Sequence, residues 1–215
     1  MAKTTFQMMI MAMKQLKKGY YFLFALAIFF GIRPLLRMNQ DIDLYWFVYF
    51  IGMNSYDHFR MSATKILHLT PMKKNYKRRL IIWNAIWLSG FAVVFYSAFT
   101  VAALFIFKKA WTVGRLSIFL VEVISIISCV LLKIFISYYS SQYQEGLKVI
   151  RVILFIAMFV NALRYNARSM LKVSVMIAGI CLVYSFVVIY YLNDFDYDTE
   201  RKMLVDVDRR EKMTW

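Results

Sequence analysis

Residues 80–107 read LIIWNAIWLSGFAVVFYSAFTVAALFIF, an apolar run of 28 residues without a charged side chain. A bilayer crossing takes about 17 to 25 such residues at 1.5 Å each, so this run is long enough to span and must tilt or rise beyond the membrane. A water-soluble domain of 215 residues would break such stretches with polar residues and short amphipathic periods. Here the apolar residues are grouped instead: 61% of the chain is hydrophobic, 18% is aromatic and only 18% is charged. Seven glycines and two prolines leave few hard turns, which favours one membrane domain over residues 1–215 rather than two joined by a linker. The runs lack the period-two alternation of lipid-facing strands, so the expected class is an all-α integral membrane protein built of helical hairpins.

About six transmembrane helices are expected. The first covers 20–36, where Arg33-Pro34 predicts a snorkelling charge and a local break. The second, 44–53, is only ten residues and rich in aromatics; in a five-span arrangement it becomes re-entrant or interfacial. The run over 80–107 is the third, followed by 116 to about 139, 149–163 and 173–192. Ahead of them, Phe6, Met9, Ile10, Met13 and Leu16 recur near helical spacing, with Gln7, Lys14 and Lys18 largely on the other side. That pattern predicts an amphipathic interfacial helix over 1–19 rather than a removable signal, the alternative being a basic flank continuous with the first span.

Basic residues in short loops set orientation. Lys3, Lys14, Lys17 and Lys18 lie before the first span, and Arg60, Lys65, Lys73, Lys74, Lys77, Arg78 and Arg79 lie after the second. Both groups are expected in the cytoplasm, which requires two crossings between them, and six spans then put the tail 193–215 inside as well. Lys108, Lys109, Arg115, Arg164, Arg168 and Lys172 fall in outer loops, whereas the inner loop 140–148 has a single basic residue and Glu145. Three readings are open: anchoring to lipid phosphates, attraction of an anionic substrate or surface polymer, or a different crossing count in this half. The net charge of +15 is spread over loops that face anionic head groups, without the aromatic and basic interleaving of a nucleic-acid platform, so no nucleic-acid partner is expected.

Polar groups inside a membrane are costly and therefore candidates for function. Arg33, Asn84, Glu122, Lys133 and Asn161 are of this kind. Glu122 and Lys133 share nearly one helix face but stand about 16 Å apart along the axis, too far for a direct pair. Glu122 is expected to meet Arg115 or another loop base, and Lys133 to snorkel inward. Both histidines, His58 and His68, belong to the cytoplasmic side, which argues against a proton relay through the spans. Cys129 and Cys181 sit alone in apolar runs, giving neither a disulfide framework nor a metal site. No span holds a compact nucleophile, base or metal constellation, so the chain is not expected to be an enzyme. In the tail, Asp194, Asp196 and Asp198 alternate without a glycine-centred calcium loop, and a short docking helix is expected there.

The region 61–79 is the most informative cytoplasmic piece. Ser62 is placed to cap a short helix, Ile66, Leu67 and Leu69 supply apolar contacts, and Pro71 stops it before a dense basic stretch. Such a segment is either a lever fixed between two spans or an interfacial loop whose charges enforce topology. Two opening spans, the segment KILHLTPMKKNYKRRLII, four further spans and an inside C-terminus resemble the permease subunits of the type 2 branch of ATP-binding-cassette transporters, many of them bacterial exporters. The resemblance covers most of the chain in topology and about twenty residues in motif.

It implies that residues 1–19 are an elbow helix and that Ile66, Leu67, Leu69, Pro71, Lys73 and Lys74 couple to an ATPase. It places the chain in a bacterial cytoplasmic membrane with both termini inside. Only about nine residues join the fifth and sixth spans, where many relatives have a re-entrant hairpin. No GxxxxGK[ST] loop occurs, so the chain holds no cofactor and ATP with Mg²⁺ would bind two separate ATPase subunits. A second identical or homologous permease and membrane lipids are the other expected partners. Tyr49, Trp83, Asn84, Trp87, Glu122, Lys133 and Asn161 are candidates for a translocation path. The aromatic and methionine load suits an amphipathic peptide or a hydrophobic drug as cargo, although interfacial anchoring explains many of these side chains equally. The alternative function is an auxiliary or bacteriocin-immunity membrane protein that does not itself transport.

Overall fold

The computed structural model describes residues 18–37, 43–52, 74–133, 142–164, 166–191, 195–198 and 203–206. Most of the expected elbow helix and of the 61–79 region, including Ile66, Leu67, Leu69, Pro71 and Lys73, lies outside the described residues. Among the described residues there are six helices: α1 (Lys18–Arg37), α2 (43–52), α3 (Lys74–Ile106), α4 (Val113–Lys133), α5 (Gln142–Ala162) and α6 (Ala167–Tyr191). Three contain stretches long and apolar enough to cross a membrane: Ala85–Ile106, Val113–Leu132 and Ala167–Ile189. In α5 the apolar stretch is shorter, Val149–Ala162. A helical membrane protein follows from these lengths and compositions.

Pro34 does not break the first helix, contrary to the sequence expectation; α1 runs through it to Arg37. The proline lacks the N–H that would reach Phe30 O, and the loss of this one bond leaves the helix continuous. Arg33 lies over the rings of Phe29 and Phe30 and closes an ion pair with Asp43, the first described residue of α2, at 3.1 Å.

At the centre of the bundle, α4 packs against α6 most extensively and also touches α1, α3 and α5. Its buried face carries Ile118, Val121, Ser125, Cys129 and Leu132, while α6 answers with Met170, Ile177, Cys181, Tyr184 and Val188, three, four or seven residues apart. That spacing puts one side of each helix inside. Small side chains at the contact, Ser125, Ser128 and Cys129 on α4 with Ser174, Cys181 and Ser185 on α6, let the backbones approach. Ser185 Oγ donates to Leu131 O at 3.0 Å near the ends of both helices, so α4 and α6 run parallel. Two glycines allow other close approaches. A Cβ on Gly31 would lie 2.8 Å from the Phe47 ring and 2.9 Å from Tyr96 Oη, and one on Gly52 would meet the Phe155 ring at 2.0 Å.

Local chemistry fixes the two short turns. Lys108 has φ 50, and the bonds Lys109 N to Leu104 O (2.9 Å) and Lys108 N to Phe105 O (3.1 Å) close α3 with a left-handed residue followed by a reversal. Thr112 Oγ1 accepts from Arg115 N at 3.3 Å to start α4, and Asn166 Oδ1 accepts from Arg168 N at 3.0 Å to start α6. In the tail, β1 (Phe195–Asp198) pairs antiparallel with β2 (Met203–Asp206), Phe195 opposite Asp206 and Asp198 opposite Met203. Over these residues a strand pair stands where a docking helix is expected, and 207–215 lie outside the described residues; alternating FDYD and the β-branched Val205 suit a pleated pair better than a helix.

Candidate functional site

The polar groups of the membrane region form two clusters. In the first, Tyr96 of α3 and Glu122 of α4 meet inside the protein, and the tyrosine hydroxyl donates to Glu122 Oε2 at 2.5 Å. Glu122 has 0% exposure, and its Oε1 has no hydrogen-bond partner among the described residues. The tyrosine ring is held between Phe119, stacked at 6.1 Å, and Phe47 at 5.3 Å, in the space that Gly31 leaves open. Arg115, expected to pair with Glu122, points elsewhere. Its Nε donates to Leu35 O at 3.0 Å and its Nη1 to Ala110 O, so it caps the end of α1 and braces the turn before α4. The carboxyl lies about two turns deeper along α4 than Arg115, where a tyrosine reaches it and the guanidinium stays with the free helix-end carbonyls.

The second cluster joins α4, α5 and α6. Asn161 Nδ2 donates to Met170 O at 3.1 Å and to Ser174 Oγ at 2.8 Å. Its Oδ1 is buried without a protein partner among the described residues. Asn161 and Ser174 line a cavity of about 10 Å³ together with Ser125, Ser128 and Met158. That is room for about one water, and the lining supplies the polar partners that a buried water needs. On α4 the two clusters are continuous: Glu122, Ser125 and Ser128 are three residues apart and follow one face over about 9 Å. A polar seam of this kind is suited to hold helices in register and to bind a small polar molecule. Among the described residues no three His, Cys, Asp or Glu side chains gather to hold a metal.

The seven candidates for a translocation path are spread over several contacts. Tyr49 belongs to an aromatic group on α2, 5.7 Å from the Trp46 ring and 6.3 Å from Phe159 of α5. Trp83 is exposed and Trp87 half-buried on α3; Asn84 is a residue of the same helix and Lys133 is the last of α4. Among them Glu122 and Asn161 reach buried polar partners in neighbouring helices, Tyr96 and Ser174 respectively. Lys74 begins α3. The serines at 125 and 128 carry a signal in the sequence, a three-residue spacing from Glu122 within an apolar run, whereas Ser174 on another helix carries none. Tyr96, one of fifteen tyrosines, carries no such signal in the sequence. No protein-family model, curated protein or solved structure matches this chain.

Proposed function

We propose that this chain is the permease subunit of an ATP-driven exporter in a bacterial cytoplasmic membrane, crossing six times with both termini inside. The observation that carries this reading is the form of α3. It is a single helix of 33 residues that begins at Lys74, inside the basic motif TPMKKNYKRRL, and ends at Ile106. Its charge-free apolar run starts at Leu80, so about 9 Å of continuous basic helix precedes it. A force applied to the 61–79 region would pass along one rigid body into the bilayer, as the coupling role of Ile66, Leu67, Leu69, Pro71, Lys73 and Lys74 requires. The energy would come from ATP with Mg²⁺ on two partner ATPase subunits.

The cavity lined by Ser125, Ser128, Met158, Asn161 and Ser174 is of water size. Cargo, an amphipathic peptide or hydrophobic drug in this reading, would move between two permease copies, because six spans make a thin pathway, past side chains such as Tyr49, Trp83 and Trp87. The second reading is an auxiliary or immunity protein that moves nothing.

Purification of the full chain from its native membrane in nanodiscs separates the two. The exporter reading expects an ATPase and a second permease to copurify, with ATP hydrolysis that falls at least several-fold in Leu67→Ala or Lys73→Ala/Lys74→Ala. A stable complex that protects or transports without any ATP-hydrolysing subunit would overturn it.

A further inference from the structure

Three separate stretches of chain bring cations to one end of the bundle. Because α4 and α6 run parallel, the turn before α4 and the turn before α6 lie at the same end. The bond from Arg115 to Leu35 O brings the end of α1 there as well. Arg37, Lys108, Lys109, Arg164, Arg168 and Lys172 all stand exposed at this end. The described acid near them, Asp43, is occupied by Arg33. The Arg164 guanidinium donates to the neutral Ser169 Oγ, so the charge of the group is not compensated among the described residues.

Beside these cations lies exposed apolar surface. Phe105 is 85% exposed and Ile106 71%, within one turn of Lys108 and Lys109, and Trp111 and Val113 are also exposed. Cations set directly on an apolar, tryptophan-bearing band match the boundary where acyl chains give way to phosphates. A soluble anionic polymer would use the cations and leave the band in water. The turn carries a lysine at a left-handed position, φ 50, where glycine would be less strained.

We propose that this end of the bundle is a binding surface for anionic phospholipid headgroups, with Lys108, Lys109, Arg168 and Lys172 engaging the phosphates and the band at Phe105, Ile106 and Trp111 contacting the upper acyl chains. It rests on the helix ends and their charges alone and stands whether or not the chain transports.

The test uses the full chain in phosphatidylcholine nanodiscs containing a minority of phosphatidylglycerol with a photoreactive acyl chain. Cross-links should concentrate on peptides covering 105–115 and 163–172, and photoreactive phosphatidylcholine should label them far less. Lys108→Gly/Lys109→Gln/Arg168→Gln/Lys172→Gln should reduce the phosphatidylglycerol labelling about tenfold. Lys108→Gly alone should reduce it measurably while the fold is relieved of a strained residue, which separates lost binding from lost structure. Equal labelling by the two lipids, or unchanged labelling in the fourfold variant, would overturn the proposal. So would protection of these peptides by soluble polyphosphate at a lower phosphate concentration than phosphatidylglycerol needs, which would make this a polymer surface.

Discussion

Tyr96 and Glu122 are the side chains whose substitution should be most informative. Tyr96→Phe leaves the buried carboxyl without its donor and should lower stability by about 1 to 2 kcal/mol. Glu122→Leu leaves the hydroxyl unpaired and should cost a similar amount. The double variant should recover much of the loss, because two apolar partners leave nothing unsatisfied. Denaturation in detergent by SDS titration or heating reads this cycle; strictly additive losses would mean that the bond contributes nothing. At the α3–α4 turn, Lys108→Gly should stabilise the protein by about 0.5 to 1 kcal/mol in the same assay, since glycine takes positive φ without a Cβ penalty. Glu122 was legible in the sequence as an acid within an apolar run, but its partner was not. A tyrosine 26 positions earlier, in a chain with fifteen tyrosines and nineteen phenylalanines, reads as packing until the helices are brought together. Local sequence placed Arg115 near enough to seem the natural partner; the unsatisfied carbonyls at the end of α1 compete for it, and no one-dimensional pattern contains them.

At the scale of elements, the apolar runs marked where helices lie better than where they end. The run at 80–107 became a helix that starts six residues earlier, at Lys74, because a strongly basic stretch without proline or glycine continues a helix as readily as an apolar one. The expected break at Pro34 did not occur: the proline removes one N–H, the one that would reach Phe30 O, and the loss of that bond leaves the helix continuous to Arg37. The pairing of α1 with α2 was beyond reach in sequence, since Arg33 and Asp43 are ten residues apart and belong to different helices. This pair predicts a charge-swap result. Asp43→Arg should loosen the α1–α2 contact and destabilise the protein, by about 1 kcal/mol because the pair is partly solvated, and Arg33→Asp/Asp43→Arg should restore part of the loss. Proteolysis rates in detergent give the readout, and a double variant no better than Asp43→Arg would show that the pair does not tether the two helices. The link between α5 and α6 depends on Asn161 instead, whose amide spans the turn to Ser174. Its depth in an apolar run was the legible part; the serine on the next helix was the hidden one.

For the whole molecule, the consequential feature is which helix ends share a side. The end of α1 lies by the start of α4 through Arg115 and Leu35. The short turn after Ile106 reverses α3 into α4, which puts the beginning of α3 at the opposite end. The same reversal between α5 and α6 brings Arg168 to the side of Lys109, since α4 and α6 are parallel. Lys109→Cys and Arg168→Cys should therefore react alike with a membrane-impermeant maleimide applied to intact cells, whereas Arg79→Cys should react only after permeabilisation in the orientation that puts the basic N-terminal segment inside. All three positions are exposed in the wild-type chain, and Cys129 and Cys181 are buried, so background labelling is expected to be low. Opposite reactivity of Lys109→Cys and Arg168→Cys would contradict the paired hairpins. Uniform labelling of those two from the inside would keep the hairpins and invert the protein in the membrane. The lipid-binding surface would then face the cytoplasmic leaflet, and the basic start of α3 would lie outside, beyond the reach of any cytoplasmic ATPase.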